Sequence, residues 1–198
     1  NAFENKVSLF IDAEHSWFQD FIDSQAELMI LKYNKEEVII YNTVQLYRHD
    51  RLNYMKKLIS KCEGNSCYLG LKLVRGAYME KEREVALKNG SPNPIHISKN
   101  ATDLDFTKAV EYCISKINIV SFCAGTHNES SVLHLTQLML KMKLNNNDNR
   151  IYFAQLLGMS DHISFNLSEM GYNVAKYVPY GPIKEVLPYL IRRAEENT

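Results

Sequence analysis

The chain has 198 residues, 45% of them apolar, which is enough for one sizeable hydrophobic core or for part of a larger domain. Its 23 basic and 23 acidic residues cancel to a formal net charge of zero, so the composition gives no indication of a nucleic-acid partner. No apolar run approaches the ~20 residues that a membrane-spanning helix needs. Because the first residue is Asn1 rather than Met, we expect a piece of a longer protein.

Two hydrophobic periodicities alternate along the chain. Short runs rich in β-branched and aromatic residues predict strands, and longer amphipathic runs predict helices. The predicted strands are residues 7–14, 37–43, 67–74, 117–124, 151–156 and 173–180. The predicted helices are residues 16–33, 50–62, a charged helix that ends near 88, about 102–116, a helix that ends near 143, 161–170 and a last helix after residue 181.

The last segment joins a predicted strand to a predicted helix through a Gly181-Pro182 turn. Pro182 suits a first helical turn because its missing N–H would be unpaired there anyway. Arg192, Arg193 and Glu196 fall within about one turn of each other. Two guanidinium groups steadied by a carboxylate could clamp a small acid. From spacing alone, the preferred interpretation is a solvated helix end, where arginine is favoured by the helix dipole.

The six strand-then-helix units predict an α/β fold with a parallel sheet covered on its outer side. Polar side chains collect where the predicted strands end: Asp12, Glu14, Gln45, the segment 72–78, the segment 126–128, Gln155 and Tyr177. A (β/α)₈ TIM-like barrel builds its active site at this edge, whereas a doubly wound sheet would have a glycine-rich phosphate motif after its first strand. A full barrel takes ~250 residues, so we expect the last six of eight units, with the first two upstream of Asn1.

The four cysteines do not have the paired spacing of a zinc site. Two of them, Cys113 and Cys123, lie in apolar segments and are predicted to be buried thiols, as in a reducing compartment. Asp12 and Glu14 are spaced as a pair of carboxylates for acid–base or metal chemistry.

Seven short segments follow one another in a characteristic order: Phe10-Ile-Asp-Ala-Glu14, Tyr41-Asn-Thr-Val-Gln45, Lys72-Leu-Val-Arg-Gly-Ala-Tyr78, Thr126-His-Asn128, Phe153-Ala-Gln-Leu-Leu-Gly-Met159, Lys176-Tyr-Val-Pro-Tyr-Gly-Pro182 and Tyr189-Leu-Ile-Arg-Arg-Ala-Glu-Glu-Asn197. Each is unspecific by itself. Together they span nearly the whole chain and resemble the proline dehydrogenase family in its eukaryotic monofunctional form. This resemblance reverses the preference stated above for Arg192 and Arg193.

The resemblance implies that residues 1–198 are part of a single catalytic barrel that holds FAD and oxidises L-proline to Δ1-pyrroline-5-carboxylate. In the family, hydride passes from the ring carbon next to nitrogen to flavin N5, and the electrons then pass to a membrane quinone. The family needs no metal. It is mitochondrial and associates with the matrix side of the inner membrane, so peripheral membrane association is an expectation here, while the oligomeric state is not implied.

On the substrate side, the resemblance makes Arg192 and Arg193 the clamp on the proline carboxylate, with Glu196 as their partner on the same helix. It makes Asp12 the active-site aspartate that anchors this arginine pair, and Glu14 stays outside the set. The side chains that line the proline ring are Leu156, Tyr177 and Tyr189.

On the cofactor side, the resemblance puts Gln45 and Lys72 beside the isoalloxazine. The segment that cradles the cofactor is Arg75, Gly76, Ala77 and Tyr78. The contacts to the ribityl-phosphate or adenosine part are Thr126, His127 and Asn128. A further contact on the pyrophosphate side involves Ser98, Lys99 and Thr102, and Gln155, Arg193 and Glu196 complete the cofactor-facing set.

Each of these residues has a plainer interpretation when taken singly. Tyr78 and Tyr177 could be half-buried aromatic residues, His127 the neighbour of a helix N-cap and Lys72 a solvated lysine. The chain also departs from its relatives, because bacterial members carry Arg at the position of Lys72, and some carry Trp at the position of Met79. The family's remaining carboxylate-binding lysine lies on an early strand that this chain lacks.

Two alternatives to proline oxidation remain open at this point. Hydroxyproline dehydrogenases tend to have a smaller residue at the position of Tyr177, so Tyr177 favours proline over hydroxyproline as the substrate. The other alternative is a truncated, non-catalytic remnant that binds FAD or a partner protein without turnover.

Overall fold

The computed structural model describes residues 1–196, and for Glu185 and residues 192–196 it describes the backbone alone. Strands and helices alternate along this range. The strands are β1 (Leu9–Ile11), β2 (Ile40–Gln45), β3 (Leu69–Val74), β4 (Val120–Gly125), β5 (Ile151–Leu156) and β6 (Val174–Tyr177). The helices are α1 (Ser16–Tyr33), α2 (Arg51–Gly64), α3 (Met79–Asn89), α4 (Lys99–Ser115), α5 (Glu129–Lys141), α6 (Asp161–Glu169) and α7 (Ile183–Glu196).

Every predicted element is present, and the differences from the sequence-based bounds lie at the ends. Helix α4 begins three residues before the predicted 102, because the Ser98 side chain accepts a hydrogen bond from the backbone N–H of Ala101 and caps the helix at that point. Strand β6 stops at Tyr177 instead of 180, two residues before Pro179, which has no N–H to donate to a sheet.

The six strands form one sheet in which every pair is parallel and the spatial order is the order along the chain, from β1 to β6. A doubly wound sheet reverses its direction of growth at a switch point, and this sheet does not. Sequential parallel strands alternating with helices form a half-barrel, which confirms the predicted (β/α)₈-type architecture and excludes the doubly wound alternative.

The hydrophobic core lies between the sheet and its outer helices. Alternate side chains of β3 point into this layer and are fully buried: Leu69, Leu71 and Leu73. They join one cluster with residues of α2, α4 and the neighbouring strands, including Met55 and Phe106. The inner face of the same strands carries the register-paired Thr43, Lys72 and Cys123 instead, so the two faces of the sheet differ in chemistry.

All four cysteines are free thiols and buried, as predicted for Cys113 and Cys123. Burial raises the pKa of Cys123 to about 12, so this thiol is protonated at neutral pH. Within residues 1–196, the structure has no helix both long and apolar enough to cross a membrane. The same part of the chain contains no group of three or more His, Cys, Asp or Glu side chains arranged to hold a metal ion.

Candidate active site

A cavity of about 510 Å³ opens on the inner face of the sheet at the amino ends of the strands. Its lining includes Phe10, Tyr41, Tyr68 and Tyr152. Barrels of this type carry stabilising residues at that end and chemistry at the opposite one. The residues predicted from the sequence also follow the carboxyl ends of the strands, so we take the carboxyl edge as the candidate site.

A lysine and an aspartate from non-adjacent strands meet at this edge. Lys72 Nζ donates to Asp12 Oδ1 at 2.5 Å, and the contact passes over β2, whose Thr43 hydroxyl lies 3.5 Å from the same oxygen. The Lys72 side chain is 20% exposed and that of Asp12 is 52% exposed. Lys72 is therefore not simply a solvated lysine. The sequence-based interpretation had assigned Asp12 to the arginine pair and did not foresee Lys72 as its partner.

The aromatic ring of Tyr177 lies on one side of the Lys72 cation. The Lys72 Nζ atom lies 5.4 Å from the centroid of the Tyr177 ring, within the range of a cation–π contact. The Tyr177 and Tyr189 rings lie 5.7 Å apart with a 48° tilt, and Leu156 pairs with Tyr177 in the β5–β6 register. The structure thus brings together the three residues that were predicted to line a substrate ring.

The β2 end and the β3–α3 loop meet beside Lys72. Gln45 is buried, and its Oε1 atom has no hydrogen-bond partner within the described residues. Gly76 has φ +133°, and a Cβ atom there would collide with the Tyr47 ring. A side chain at residue 76 is therefore excluded by both backbone conformation and space.

Arg75, at the start of the same loop, binds helix α4, the loop after β4 and helix α5. Its guanidinium donates to Asp103 on α4 at 2.6 Å, to Thr126 Oγ1 after β4 at 2.8 Å and to Ser131 Oγ on α5 at 2.9 Å. It also lies 4.6 Å from the Phe106 ring centroid. Arg75 and Thr126 are among the predicted site residues, whereas Asp103 and Ser131 are not, because no motif distinguishes them.

Polar residues at the amino end of α5 are held in place by hydrogen bonds to one another and to Ser160. The Asn128 side chain accepts from the Ser131 N–H at 2.9 Å, and the Asn128 N–H donates to Thr126 Oγ1 at 3.1 Å. The His127 ring contacts the Ser160 hydroxyl at 2.9 Å. These contacts hold residues 126–128 in place at the carboxyl edge, next to the positive end of the helix dipole.

The Gln155 side chain points to the outer face of the sheet, away from the candidate site. Its amide donates to the carbonyl oxygen of Thr126 at 3.2 Å and accepts from the Ser164 hydroxyl on α6 at 3.0 Å, so it lies under α6 on the outer face of the sheet. Strand alternation could have shown this, because adjacent Gln155 and Leu156 cannot both face inward. Lys99 and Thr102 lie in the first turn of α4.

The predicted carboxylate clamp lies outside the described side chains. Arg192, Arg193 and Glu196 belong to α7 by their backbone, and their side chains are outside the described residues. Their assignment as a clamp therefore stays a prediction.

Known proteins of similar sequence indicate the family of this chain. The family model described as proline dehydrogenase matches residues 1–198. Human mitochondrial proline dehydrogenase 1 is 39% identical over 200 residues, which cover 100% of this chain and 33% of the human protein. The Xenopus laevis hydroxyproline dehydrogenase is 34% identical over 204 residues, 100% of this chain and 43% of that protein.

The fold is shared with solved structures at lower sequence identity. Proline utilization A (PutA) from Bdellovibrio bacteriovorus superposes with a TM-score of 0.91 at 23% identity, covering 99% of this chain and 20% of that chain. The chain spans 33% of the length of the human proline dehydrogenase 1 and 43% of the length of the Xenopus laevis hydroxyproline dehydrogenase. Since the family model covers every residue, the chain belongs to the proline dehydrogenase family.

Proposed function

We propose that the protein containing this chain oxidises L-proline to Δ1-pyrroline-5-carboxylate with FAD as its cofactor. The observation that carries the proposal is the Lys72–Asp12 pair at the carboxyl edge, with the Tyr177 ring 5.4 Å from the lysine nitrogen. A fixed cation beside an aromatic wall suits a ligand that is anionic at one end and apolar at the other.

The residues at the edge fit a flavin. The buried Gln45 Oε1 atom, which has no partner within the described residues, is an acceptor suited to an N–H of the isoalloxazine ring. Gly76 lets the backbone approach closely, and the amino end of α5 presents the positive end of its helix dipole to a phosphate. When bound, FAD accepts the hydride taken from the proline ring.

The remaining task of the protein is to hold proline in one orientation. Leu156, Tyr177 and Tyr189 supply an apolar wall for the ring, and a bidentate clamp by Arg192 and Arg193 would hold its carboxylate. Asp12 would balance part of the positive charge that these groups bring together.

The clamp assignment can be tested directly. Because lysine replaces a planar fork with a point charge, we expect Arg192→Lys to raise KM for L-proline at least about tenfold, the loss expected for one charged hydrogen bond. Steady-state kinetics like those of the unmodified protein would contradict the clamp.

The family resemblance and the names of the relatives support two further parts of the proposal. A membrane quinone would serve as the electron acceptor, and the protein would be located at the matrix side of the mitochondrial inner membrane. The human, Drosophila melanogaster and Dictyostelium discoideum relatives are all named as mitochondrial proteins.

Hydroxyproline is the second candidate substrate, because one relative at 34% identity is a hydroxyproline dehydrogenase. The Tyr177 ring, packed against Tyr189, narrows the space where a ring hydroxyl would lie. We therefore expect Tyr177→Ser to raise the ratio of kcat/KM for trans-4-hydroxy-L-proline over L-proline by about tenfold, the scale of a change of a few heavy atoms in a pocket. Tyr180→Ser, at a fully exposed tyrosine, is the control.

The deciding experiment is an anaerobic spectral titration of the full-length protein with L-proline. Bleaching of a flavin absorption band by L-proline but not by trans-4-hydroxy-L-proline is the expected result. A protein that purifies colourless and takes up no added FAD would contradict the proposal and support a non-catalytic remnant.

A further inference from the structure

Glu82 is a buried carboxylate that none of the assignments above uses. It lies in the first turn of α3, and the residue is 2% exposed. Burying a carboxylate is unfavourable unless hydrogen bonds and charges compensate it. The groups that compensate Glu82 therefore indicate what this residue holds in place.

Both carboxylate oxygens of Glu82 bind Ser16, the first residue of α1. Glu82 Oε1 accepts from the Ser16 backbone N–H at 2.6 Å, and Oε2 accepts from the Ser16 hydroxyl at 2.6 Å. The first N–H groups of a helix have no partner within the helix. The N-cap residue, His15, makes no side-chain capping bond, so a residue 66 positions away caps α1 in its place.

His15 extends this contact to the candidate active site. Its ring stacks on Trp17 with centroids 4.3 Å apart and contacts the Tyr78 ring at a 38° tilt with centroids 4.1 Å apart. The His15 Nδ1 atom lies 3.8 Å from Glu82 Oε1. Asp12 lies three residues before His15, and Tyr78 ends the loop that carries Gly76, so the loops after β1 and β3 meet at Glu82.

The neighbourhood of Glu82 also includes Tyr47, whose ring packs under Gly76. Burial, and after it the charge of Glu82, raises the pKa of Tyr47. The carboxylate thus acts at the point where the loops after β1, β2 and β3 converge.

We propose that Glu82 is a positioning residue that locks the β1–α1 loop to the β3–α3 loop and so sets where Asp12 and Tyr78 stand relative to Lys72. It acts through Ser16 and His15, and it touches neither substrate nor cofactor. The consequence for catalysis rests on the proposed oxidation of proline.

Kinetics of the FAD-loaded, full-length protein test the proposal. Since the loosened loop carries Asp12, we expect Glu82→Leu to raise KM for L-proline about tenfold, the equivalent of one lost charged hydrogen bond, while kcat changes less than about twofold. Glu84→Leu is the matched control, because Glu84 lies on the same helix with its side chain 66% exposed. An unchanged KM in Glu82→Leu overturns the proposal.

Two further variants keep the test independent of a folding defect. Glu82→Gln can still accept from the Ser16 N–H and can donate to the Ser16 hydroxyl, so it should keep KM within about twofold. Ser16→Ala removes a single hydrogen bond and should raise KM about threefold. A glutamine variant as defective as the leucine variant contradicts the proposal, because hydrogen bonds to Ser16 would then not be what Glu82 supplies.

Trp17 is the single tryptophan of this chain and gives a readout that needs no turnover. For each variant, the emission spectrum of the same protein carrying Trp17→Phe is subtracted. The difference spectrum is the fluorescence contributed by Trp17. We expect Glu82→Leu to shift that difference spectrum to longer wavelength, as Trp17 leaves His15 and meets more water, and Glu84→Leu to leave it unchanged.

The two readouts separate the two proposals. If the unmodified protein does not oxidise proline, the proposed function is wrong, and the Trp17 emission alone decides whether Glu82 locks the loops. An unshifted Trp17 emission in Glu82→Leu overturns the lock. A shifted emission with an unchanged KM also overturns it, because Glu82 would then have a purely structural role.

Discussion

Two aspartate–cation pairs flank strand β2, one on each face, and they differ in how deeply their side chains are buried. On the outer face, Asp23 of α1 binds Arg51 of α2 at 2.6 Å, with side chains 6% and 3% exposed. On the inner face, Asp12 binds Lys72 with side chains 52% and 20% exposed. The residue types are similar, and the surroundings decide what each pair does.

The outer pair is closed. Asp23 accepts from Gln19 at 2.9 Å and from Asn42 of β2 at 2.8 Å in addition to Arg51, while the Arg51 guanidinium lies 4.0 Å from the Tyr54 ring centroid. Every charge in this cluster has a protein partner. It holds α1, β2 and α2 together and has no capacity left for a ligand.

The inner pair is open. Asp12 is half exposed, and among the described side chains it has one close donor, Lys72, and a long contact to Thr43 at 3.5 Å. The arginine side chains proposed to bind Asp12 lie outside the described residues, so among the described side chains this half-exposed carboxylate keeps acceptor capacity for further donors. A buried pair with several partners therefore belongs to the framework, whereas a partly exposed pair at the carboxyl edge is placed to contact a ligand.

The largest expected effect is on the outer pair. We expect Asp23→Ala to lower the free energy of unfolding by about 3–5 kcal/mol, because Arg51 would stay buried without its partner. Urea denaturation followed by circular dichroism measures this. Asp20→Ala, at an exposed position on the same helix, should change stability by less than about 0.5 kcal/mol. Equal losses in the two variants would contradict the comparison.

Mutation of the inner pair should change stability little and lower catalytic efficiency strongly. We expect Asp12→Asn to change the free energy of unfolding by less than about 1 kcal/mol, as for other exposed pairs. It should lower kcat/KM for L-proline by about 10- to 100-fold, since a neutral amide cannot balance the cations of the proposed site. A variant that loses stability but keeps its kinetics would reverse the assignments of the two pairs.

A milder change tests whether the outer pair depends on the shape of arginine. Arg51→Lys keeps the positive charge but loses the planar stacking on Tyr54, so we expect a loss of about 1 kcal/mol in the free energy of unfolding. Lys72→Arg, the matched change on the inner face, should leave stability within about 0.5 kcal/mol. Thermal denaturation of both variants distinguishes them.

The smallest expected effect concerns Asp148 and Arg150, a partly exposed pair outside both regions. Hydrogen bonds from Arg150 lower the pKa of Asp148. A lowered folded-state pKa means that the pair stabilises the protein above the unfolded-state value and loses this contribution as pH falls through the folded-state value. Asp148→Asn should therefore cost about 0.5–1 kcal/mol at pH 7 and progressively less below about pH 4. A cost independent of pH would show that the charge is not involved.

Local patterns were sufficient to predict the elements and their order. The apolar run of β5 and the helical run of α1 have the predicted bounds, 151–156 and 16–33. Periodicity did not identify the buried face of α1, because Trp17, Phe21 and Leu28 are exposed. The buried face consists of Gln19, Asp23, Ala26 and Ile30. The barrel architecture followed from the succession of such units, and the family from seven ordered motifs.

Contacts between distant segments could not be read in the same way. The Lys72–Asp12 contact joins residues 60 apart and the Glu82–Ser16 contact joins residues 66 apart, across strands and helices whose register is set only on folding. The outward direction of Gln155 is the exception, since alternation with Leu156 already implied it.

Local periodicity and ordered motifs were enough to predict the secondary structure, the parallel sheet and the family. They also predicted that Asp12, Lys72 and Tyr177 lie at the carboxyl edge, whereas Gln155 faces outward. The tertiary structure decides that Asp23 and Arg51 are buried with several partners, whereas Asp12 and Lys72 stay partly exposed. That decision depends on the hydrogen-bond partners that each buried group finds across the fold, and no local pattern specifies those partners.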